Sequence, residues 1–559
     1  MRRILALLAL LSAAGAPGAA AAVPPPSHPV PALARGVVAA PESVAAEVGA
    51  ATLRAGGNAV DAAVAIQFAL AVTDPRAGNL GGGGFMLVHT DSGDFAVDYR
   101  ETAPAAATRD MYLDAAGNVV PGLSLATHRA AGVPGSVAGM WLAHHRFGSL
   151  PWRRLLAPAI RLAERGWRID AHTAADFAAE RPGGFRDHFH GAAGALLVQP
   201  ELAATLRRIA AAGPDGFYRG ETARLIVAEM RRGGGLVTLD DLARYRAVMR
   251  APLAGTYRGL RVVSMPPPSS GGVALLQLLN LLEPREPARL GQGSAAFLHL
   301  VAEMEKRVFA DRAEHLGDPD LVRVPVDSLL SKAYAALRGA DIAPDRRTPP
   351  AAIHAGAVRH ESEQTTHFSV VDRHGDAVAN TTTLNDSYGS GIVVRGAGFL
   401  LNDEMDDFSA RPGVPNLYGV TGGEANAIAP GKRMLSSMCP TFVYRDGRLW
   451  LVLGSPGGPT IFTTVFQVIV NRVDFGMTLA EAVGAPRFHH QWPPGDPALD
   501  PIDVERGREP DAAVRGALEA LGYVLRPRSP IGDVQAIEIS GGRATGVSDP
   551  RHDGHVAVE

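Results

Sequence analysis

The chain has 559 residues, of which 46% are hydrophobic and 20% are charged, a composition typical of folded globular proteins. The formal net charge is −3, from 54 Lys and Arg against 57 Asp and Glu, which argues against a broadly basic nucleic-acid-binding surface. The single cysteine, Cys439, excludes an intrachain disulfide and a cysteine-based zinc site.

The N-terminus has the pattern of a signal peptide. A short cationic start precedes an apolar stretch at residues 4–16, and small residues follow at 18–22. We expect residues 1–22 to be removed and the protein to be periplasmic or secreted. A membrane anchor is the alternative, but the apolar stretch is shorter than the ~20 residues that a spanning helix needs. Residues 23–34 are proline-rich and predict an extended leader.

The remaining chain predicts an α+β protein. Residues 59–72 predict a helix capped by Asn58 with an apolar stripe on one face, and the middle of the chain, 133–350, is mostly helical. The predicted helices cover 43–54, 59–72, 135–145, 153–165, 200–212, 220–232, 273–282, 294–314 and 460–471, with one more after a capping box at Thr478. The predicted strands cover 85–89, 95–99, 366–371, 377–383, 391–401, 440–444 and 449–454.

One predicted hairpin brings two threonines together. The loop 373–375 joins two β runs, and a hairpin centred on His374 pairs residues whose numbers sum to 748. Thr365 then lies beside Thr383, and Asn385 follows on the same face. Because threonine is common in strands and a glycine bulge would shift the register, spacing alone favours an ordinary strand.

The hairpin belongs to a longer motif at residues 364–389, QTTHFSVVDRHGDAVANTTTLNDSYG. This motif closely resembles the processing-site signature of the γ-glutamyltransferase (γ-glutamyltranspeptidase) family. The resemblance covers nearly the whole mature chain, and its other blocks, in the family's order, are 98–112, 264–272, 303–319, 402–423, 435–437, 454–458 and 486–491.

The resemblance implies an N-terminal-nucleophile hydrolase with an αββα sandwich. Members are made as inactive precursors that cut themselves before one threonine, which here implies cleavage between Gln364 and Thr365. The large subunit would comprise 23–364 and the small, catalytic subunit 365–559, joined as a heterodimer from one precursor. Cleavage would give Thr365 a free α-amino group with a pKa near working pH, suited to act as its base. Thr383, by analogy, orients Thr365.

Two glycines are candidates for stabilising an oxyanion. Gly457 and Gly458 lie between a strand end and a helix start, where backbone N–H groups are unpaired and the helix dipole favours negative charge. An ordinary strand-to-helix turn is the simpler interpretation of these residues by themselves. Their match to the family motif implies the oxyanion role.

The resemblance also implies residues that bind a γ-glutamyl substrate. Arg100 matches the family's carboxylate-binding arginine, a residue type that binds carboxylates bidentately. The remaining matches are the hydroxyl donors Ser436 and Ser437 and the ammonium acceptors Asn385, Glu404 and Asp407. Tyr418 would be the tip of a lid loop at 412–423, although an immobile surface loop is also compatible with that sequence.

The expected activity is autoprocessing and transfer of the γ-glutamyl group from amides such as glutathione to water, amino acids or peptides. No cofactor is expected, and His489-His490 lacks the spacing of a metal site such as HExxH. One alternative is a cephalosporin- or glutaryl-acylase-type amidase with the same nucleophile. Another is a non-enzymatic exported binding protein that retains the fold.

Overall fold

The computed structural model describes residues 33–179, 181, 184–355, 365–411, 423–493 and 499–559. The predicted signal peptide, Gln364 and Tyr418 lie outside the described residues. Within the described ranges, we find no helix with the length and apolar character that a bilayer-crossing segment requires.

The chain forms two large β-sheets with helices around them. The strands are β1 (Val37–Ala40), β2 (Gly83–Thr90), β3 (Gly93–Asp98), β4 (Trp167–Arg168), β5 (Leu196–Leu197), β6 (Val248–Arg250), β7 (Leu253–Tyr257), β8 (Leu260–Ser264), β9 (Thr366–Val371), β10 (Ala377–Thr383), β11 (Thr441–Arg445), β12 (Arg448–Gly454), β13 (Phe488–His490), β14 (Pro501–Glu505), β15 (Val524–Arg528), β16 (Gln535–Ser540), β17 (Arg543–Ser548) and β18 (His555–Val558). One sheet has the order β18-β1-β9-β10-β2-β3-β6 and the other β17-β16-β12-β11-β8-β7.

The helices are α1 (Ser43–Arg54), α2 (Ala59–Thr73), α3 (Ser136–Phe147), α4 (Trp152–Arg165), α5 (Ala171–Ala178), α6 (Phe185–His188), α7 (Pro200–Ala212), α8 (Asp215–Tyr218), α9 (Gly220–Gly233), α10 (Leu239–Arg244), α11 (Gly271–Leu282), α12 (Pro287–Leu290), α13 (Ala295–His315), α14 (Val326–Leu329), α15 (Lys332–Gly339), α16 (Thr460–Val473), α17 (Leu479–Gly484) and α18 (Ala512–Ala520). Helices α1 and α2 pack on the seven-stranded sheet, whereas α11 and α16 pack on the six-stranded sheet.

Side-chain alternation in the strands separates two hydrophobic cores. In β1, Val38 and Ala40 belong to the core beneath α1 and α2, while Val37 and Ala39 belong to the core that includes the space between the sheets. The layers therefore follow the order helix, sheet, sheet, helix. This arrangement confirms the predicted αββα sandwich.

The register of the predicted hairpin is confirmed. Strands β9 and β10 pair antiparallel with Thr366 opposite Thr382, so paired residue numbers sum to 748. Gly375 in the connecting loop has φ 90°, a conformation that glycine adopts without strain. Both strands lie at the centre of the seven-stranded sheet, which fixes the end of the hairpin firmly.

Three local predictions were wrong or incomplete. Helix α2 is buried on all sides rather than along one stripe, because α1 and α4 cover the faces that the sheet leaves open. Residues 391–401 form isolated bridges instead of a strand, since glycines with positive φ interrupt the segment. The region 253–264, expected within a mostly helical stretch, supplies β7 and β8 of the second sheet.

Candidate active site

The candidate nucleophile lies at the open end of the central hairpin. Thr365 is the residue before β9 and is 9% exposed; Thr383 ends β10 and is 3% exposed. Along these strands, Val371 and Ala379 face the space between the sheets. Thr365 and Thr383 each lie an even number of residues from them, and side chains at even spacing share one face of a sheet. The strand geometry therefore directs both threonines toward the second sheet.

Polar contacts fix the end of β10. The Thr383 hydroxyl accepts a hydrogen bond from the Asn385 backbone N–H at 2.8 Å, where Asn385 has a positive φ of 82°. The Thr382 hydroxyl donates to the Gly83 carbonyl of β2 at 2.9 Å. A Cβ at Gly83, the first residue of β2, would lie 2.5 Å from Glu101 Oε2, so only a glycine permits this close packing. The predicted orientation of Thr365 by Thr383 stays a prediction.

A buried histidine, His367, lies in β9 two residues after Thr365. His367 Nδ1 is 2.9 Å from Thr381 Oγ1, and its Nε2 is 3.1 Å from Ser369 Oγ. Burial lowers the pKa of His367 to about 3, so the ring is neutral at physiological pH. The sequence analysis did not single out this residue, and its surroundings assign it to the packing beneath the site.

Gly457 and Gly458 lie in the loop between β12 and α16. Their φ angles are 130° and 56°, and among the described residues their backbone N–H groups donate no hydrogen bond. The Gly457 carbonyl is occupied instead, because it accepts from the N–H and hydroxyl of Thr460 at 3.1 and 2.7 Å. The two N–H groups are thus available to a developing oxyanion.

Arg100 lies in a fully buried cluster with two predicted substrate-binding acids. Its two terminal nitrogens donate to the Glu404 and Asp407 carboxylates, which belong to the 3-10 turn Glu404–Asp407. Arg100 also donates to the Met434 carbonyl at 3.2 Å and to the Leu435 carbonyl at 3.1 Å. The residues predicted to bind a substrate's carboxylate and ammonium therefore pair with one another.

A third acid, which the sequence analysis did not single out, lies behind this arginine. Glu101 is fully buried, with one oxygen 3.7 Å from Arg100 Nη1. Burial raises the pKa of Glu101 to about 8, although the charge of Arg100 opposes that shift. At neutral pH Glu101 is therefore mainly protonated and carries no charge. Glu404 and Asp407 remain as the carboxylates that pair with Arg100.

Ser436 and Ser437 are positioned by the proline-rich segment that precedes α11. Ser269 and Ser436 form a parallel bridge, and the Ser270 hydroxyl donates to the Ser436 carbonyl at 2.7 Å. Ser436 is next to Leu435, whose carbonyl holds Arg100. Two sequence blocks far apart in the chain, 264–272 and 435–437, therefore meet at the arginine cluster.

Asn426 connects the acidic turn to the serine segment, and no sequence pattern identified it. Its Nδ2 donates to the Asp407 carbonyl at 2.6 Å, and its Oδ1 accepts from the Leu435 N–H at 3.0 Å. The Asn426 side chain therefore holds the turn Glu404–Asp407 and the segment 435–437 at a fixed distance from each other.

A cavity of about 390 Å³ opens beside the candidate nucleophile. Thr365 and Gly457 line it, whereas Arg100, Glu404 and Asp407 do not. Its other walls carry charged residues from distant segments, among them Asp74, Arg76, His172, Asp176, Asp533 and His552. Thr365 therefore lies at a charged cavity that is separate from the arginine cluster.

The histidine pair His489-His490 is part of the protein interior. His489 Nδ1 is 3.1 Å from Thr463 Oγ1, and His490 Nε2 is 2.5 Å from Asp500 Oδ1. Burial lowers the pKa of both rings, that of His489 to about 3. Within the described ranges, no cluster of three or more His, Cys, Asp or Glu could hold a metal ion.

Comparison with known proteins identifies related chains over almost the whole length. The model of the family described as Gamma-glutamyltranspeptidase matches residues 45–559. Glutathione hydrolase proenzyme of Escherichia coli (strain K12) is 48% identical, with 99% of this chain and 97% of that protein covered. The protein of the same name from Pseudomonas aeruginosa is 51% identical, covering 92% and 93%.

Acylases are also related. Acylase ACY 1 proenzyme of Pseudomonas sp. (strain SE83) is 38% identical, with 93% of each chain covered. Among solved structures, cephalosporin acylase from Bacillus halodurans matches with a TM-score of 0.81 and 26% identity, covering 98% of this chain and 99% of that chain. The fold is thus common to both groups, while the identity to the glutathione hydrolase proenzymes of Escherichia coli and Pseudomonas aeruginosa is higher than the identity to this acylase.

Proposed function

Because this chain belongs to the gamma-glutamyltranspeptidase family, we propose that it cleaves γ-glutamyl amides such as glutathione through an acyl-enzyme on Thr365. The observation that carries the proposal is that Thr365, at the end of the central hairpin, lines one cavity together with Gly457 of the loop between β12 and α16. Among the described residues the N–H groups of Gly457 and Gly458 are open, and Arg100 pairs with Glu404 and Asp407 in a buried ionic cluster.

The active form would arise by self-cleavage before Thr365. The Thr365 hydroxyl attacks the Gln364 carbonyl, the peptide nitrogen leaves, and the resulting ester is hydrolysed by water. The products are a carboxylate on Gln364 and a free α-amino group on Thr365. The large subunit would comprise 23–364 and the small subunit 365–559. The relatives are named proenzymes, which supports this maturation.

The free α-amino group supplies the base that a threonine hydroxyl needs. It takes the hydroxyl proton as Thr365 Oγ attacks the γ-carbonyl carbon of the substrate. Gly457 and Gly458 N–H groups stabilise the oxyanion, and the proton passes to the leaving amine as the C–N bond breaks. Water or an acceptor amine then attacks the acyl carbon, the C–Oγ bond breaks, and Thr365 regains its proton.

When the γ-glutamyl donor binds, ion pairs between the substrate and the protein would replace the ion pairs that Arg100 forms with Glu404 and Asp407. The substrate α-carboxylate pairs with Arg100, with Ser436 and Ser437 as hydroxyl donors. The α-ammonium pairs with Asp407 and Glu404, and Asn385 adds an acceptor. This exchange keeps every buried charge paired, since the zwitterion replaces the contacts between Arg100 and the two acids. Tyr418 would close the site as a lid.

We place the mature enzyme in the periplasm or the medium, because the first 22 residues have the pattern of a signal peptide. An acylase activity is the second candidate, and the relatedness to acylases is the observation that favours it. The buried acids beside Arg100 favour the glutamyl substrate, because a glutaryl group lacks the ammonium that they would bind.

The test compares γ-glutamyl-p-nitroanilide with glutaryl-p-nitroanilide as substrates of the purified protein. We expect release of p-nitroaniline mainly from the γ-glutamyl compound. The Thr365→Ala variant should remain one chain and release none, because no hydroxyl is left to attack. Preferred cleavage of the glutaryl compound, or normal activity and two normal subunits from Thr365→Ala, would contradict the proposal.

A further inference from the structure

Lys432 is a buried lysine to which the proposed chemistry assigns no role. Only 3% of it is exposed, and its ammonium donates to the carbonyls of Ala425 at 2.6 Å and Ala427 at 2.9 Å. Within the described ranges, the ammonium forms no ion pair with a carboxylate. Removing an ammonium from water is costly, so a buried lysine that binds two carbonyls rather than an acid needs an explanation.

The two carbonyls lie on either side of Asn426. This residue ends the 3-10 turn Glu424–Asn426, and its own carbonyl accepts from the Ser409 N–H at 3.0 Å. By binding the carbonyl before Asn426 and the carbonyl after it, Lys432 restrains the backbone on both sides. The direction of the Asn426 side chain therefore depends on the Lys432 ammonium.

Asn426 connects the two sides of the proposed donor site. Its carboxamide binds the Asp407 carbonyl at 2.6 Å and the Leu435 N–H at 3.0 Å. Asp407 is assigned to the substrate ammonium, whereas Leu435 precedes the serines that are assigned to the substrate carboxylate. Lys432 thus acts, through Asn426, on the distance between the ammonium side and the carboxylate side.

The main chain of Lys432 is held independently of its side chain. The Lys432 carbonyl accepts from the Ala103 N–H at 2.8 Å, and the Gly431 N–H donates to the Ala103 carbonyl at 3.0 Å. Thr102 and Arg433 form an antiparallel bridge beside this pairing. A substitution at position 432 therefore removes the ammonium while the backbone pairing keeps the residue in place.

Three charged groups act on the Lys432 ammonium at longer range. Burial lowers the pKa of Lys432 to about 8 and Arg109 adds to that shift, whereas Asp318 and Glu424 oppose it. At pH 7 the side chain is therefore mainly protonated, and both of its hydrogen bonds are charge-assisted. Measurements at pH 7 thus report on the charged form.

We propose that Lys432 is a positioning residue for donor selectivity, which holds Asn426 so that the two sides of the site fit an α-amino acid group. Such a group carries its ammonium and its carboxylate on one carbon, so it requires the two sides at a fixed distance. A glutaryl group has the carboxylate alone and does not depend on that distance. This inference rests on the proposed function and assigns part of its selectivity to a residue that acts through Asn426.

The test compares γ-glutamyl-p-nitroanilide with glutaryl-p-nitroanilide at pH 7 in Lys432→Met, whose side chain has a similar length and no charge. We expect the KM of the γ-glutamyl compound to rise about tenfold or more, the scale of one lost charge-assisted hydrogen bond, with little change in kcat. The KM of the glutaryl compound should stay near its native value. Equal changes for both substrates, or native selectivity in Lys432→Met, would overturn the inference.

Lys332→Met is the matched control, because it makes the same substitution at an exposed lysine. Lys332 binds the Glu283 carboxylate and the Thr256 carbonyl, and none of the proposed site residues. This variant should keep the native KM for both substrates. The same selective loss in Lys332→Met would assign the effect to total charge and would also overturn the inference.

Asn426→Ala tests the connection while the lysine stays in place. It should raise the KM of the γ-glutamyl compound selectively, as Lys432→Met does. The double variant should be no worse than the more affected single variant, because both substitutions interrupt one connection. Native selectivity in Asn426→Ala, or losses that multiply in the double variant, would contradict the inference. Asn426→Ala also decides the matter where Lys432→Met yields no pair of subunits.

The inference and the proposed function can fail separately. If the native protein releases no p-nitroaniline, or prefers the glutaryl compound, the proposed function is wrong and the inference fails with it. If the native protein prefers the γ-glutamyl compound and both Lys432→Met and Asn426→Ala keep that preference, the inference alone is wrong.

Discussion

Replacing Asp407 by Asn tests how the arginine cluster recognises its substrate. Asp407 is 6% exposed and pairs with Arg100, which is fully buried. In the proposed complex the substrate ammonium takes the place of Arg100 beside Asp407. The substitution keeps the shape of the side chain and removes the charge, so the ammonium loses its strongest partner.

The magnitude follows from the burial of the pair. Removing one member of a hydrogen-bonded ion pair that is screened from water costs ~2–5 kcal/mol. At a factor of ten for each 1.36 kcal/mol, this corresponds to a loss of roughly 30-fold to several-thousand-fold. We therefore expect kcat/KM for γ-glutamyl-p-nitroanilide to fall at least ~30-fold in Asp407→Asn.

Glutaryl-p-nitroanilide provides the internal comparison, because it keeps the carboxylate and lacks the ammonium. Its slow turnover should fall much less or improve, since Arg100 loses one competing carboxylate. Asp406→Asn is the control variant, because Asp406 lies in the same turn and pairs with Ser124 instead. Equal losses for both substrates in Asp407→Asn would assign Asp407 a structural role and refute the reasoning.

The remaining predictions concern the oxyanion loop and acid stability. Gly457→Ala should lower kcat by about 10²–10³-fold with little change in KM. The reason is that Gly457 has φ 130° and a Cβ there would lie 2.3 Å from Thr460 Oγ1, which would displace the Gly457 N–H. An unchanged single-turnover rate would contradict the oxyanion role. Burial would raise the pKa of Glu303, but Lys306, Thr348 and Arg307 lower it to about 2. The ionised Glu303 therefore stabilises the folded protein above pH ~4.5, and this stabilisation is lost as the pH falls toward 2. In urea unfolding, the difference in free energy of unfolding between the native protein and Glu303→Gln should decrease by about 3 kcal/mol from pH 6 to pH 2. A difference that does not change with pH would contradict this.

The hairpin could be predicted from sequence because its determinants are local. Two β runs, a three-residue loop and a glycine with positive φ are sufficient to fix which residues pair. The same holds for the helix cap at Asn58 and for the capping box at Thr478, both of which form as expected.

The arrangement of the site depends on contacts between distant segments. The pairing of Arg100 with Glu404 and Asp407 joins residues about 300 positions apart, which no spacing rule predicts. The charged cavity similarly joins Asp74 and Arg76 with Asp533. Family resemblance identified the first group, and no sequence pattern identified the second.

The central claim is that Thr365 becomes an N-terminal nucleophile, and intact-mass spectrometry of the purified protein tests it most directly. The account predicts two polypeptides, of which the smaller has the mass of residues 365–559 and begins at Thr365. A single uncut chain from an active preparation, or a small chain that begins at any other residue, would contradict the account.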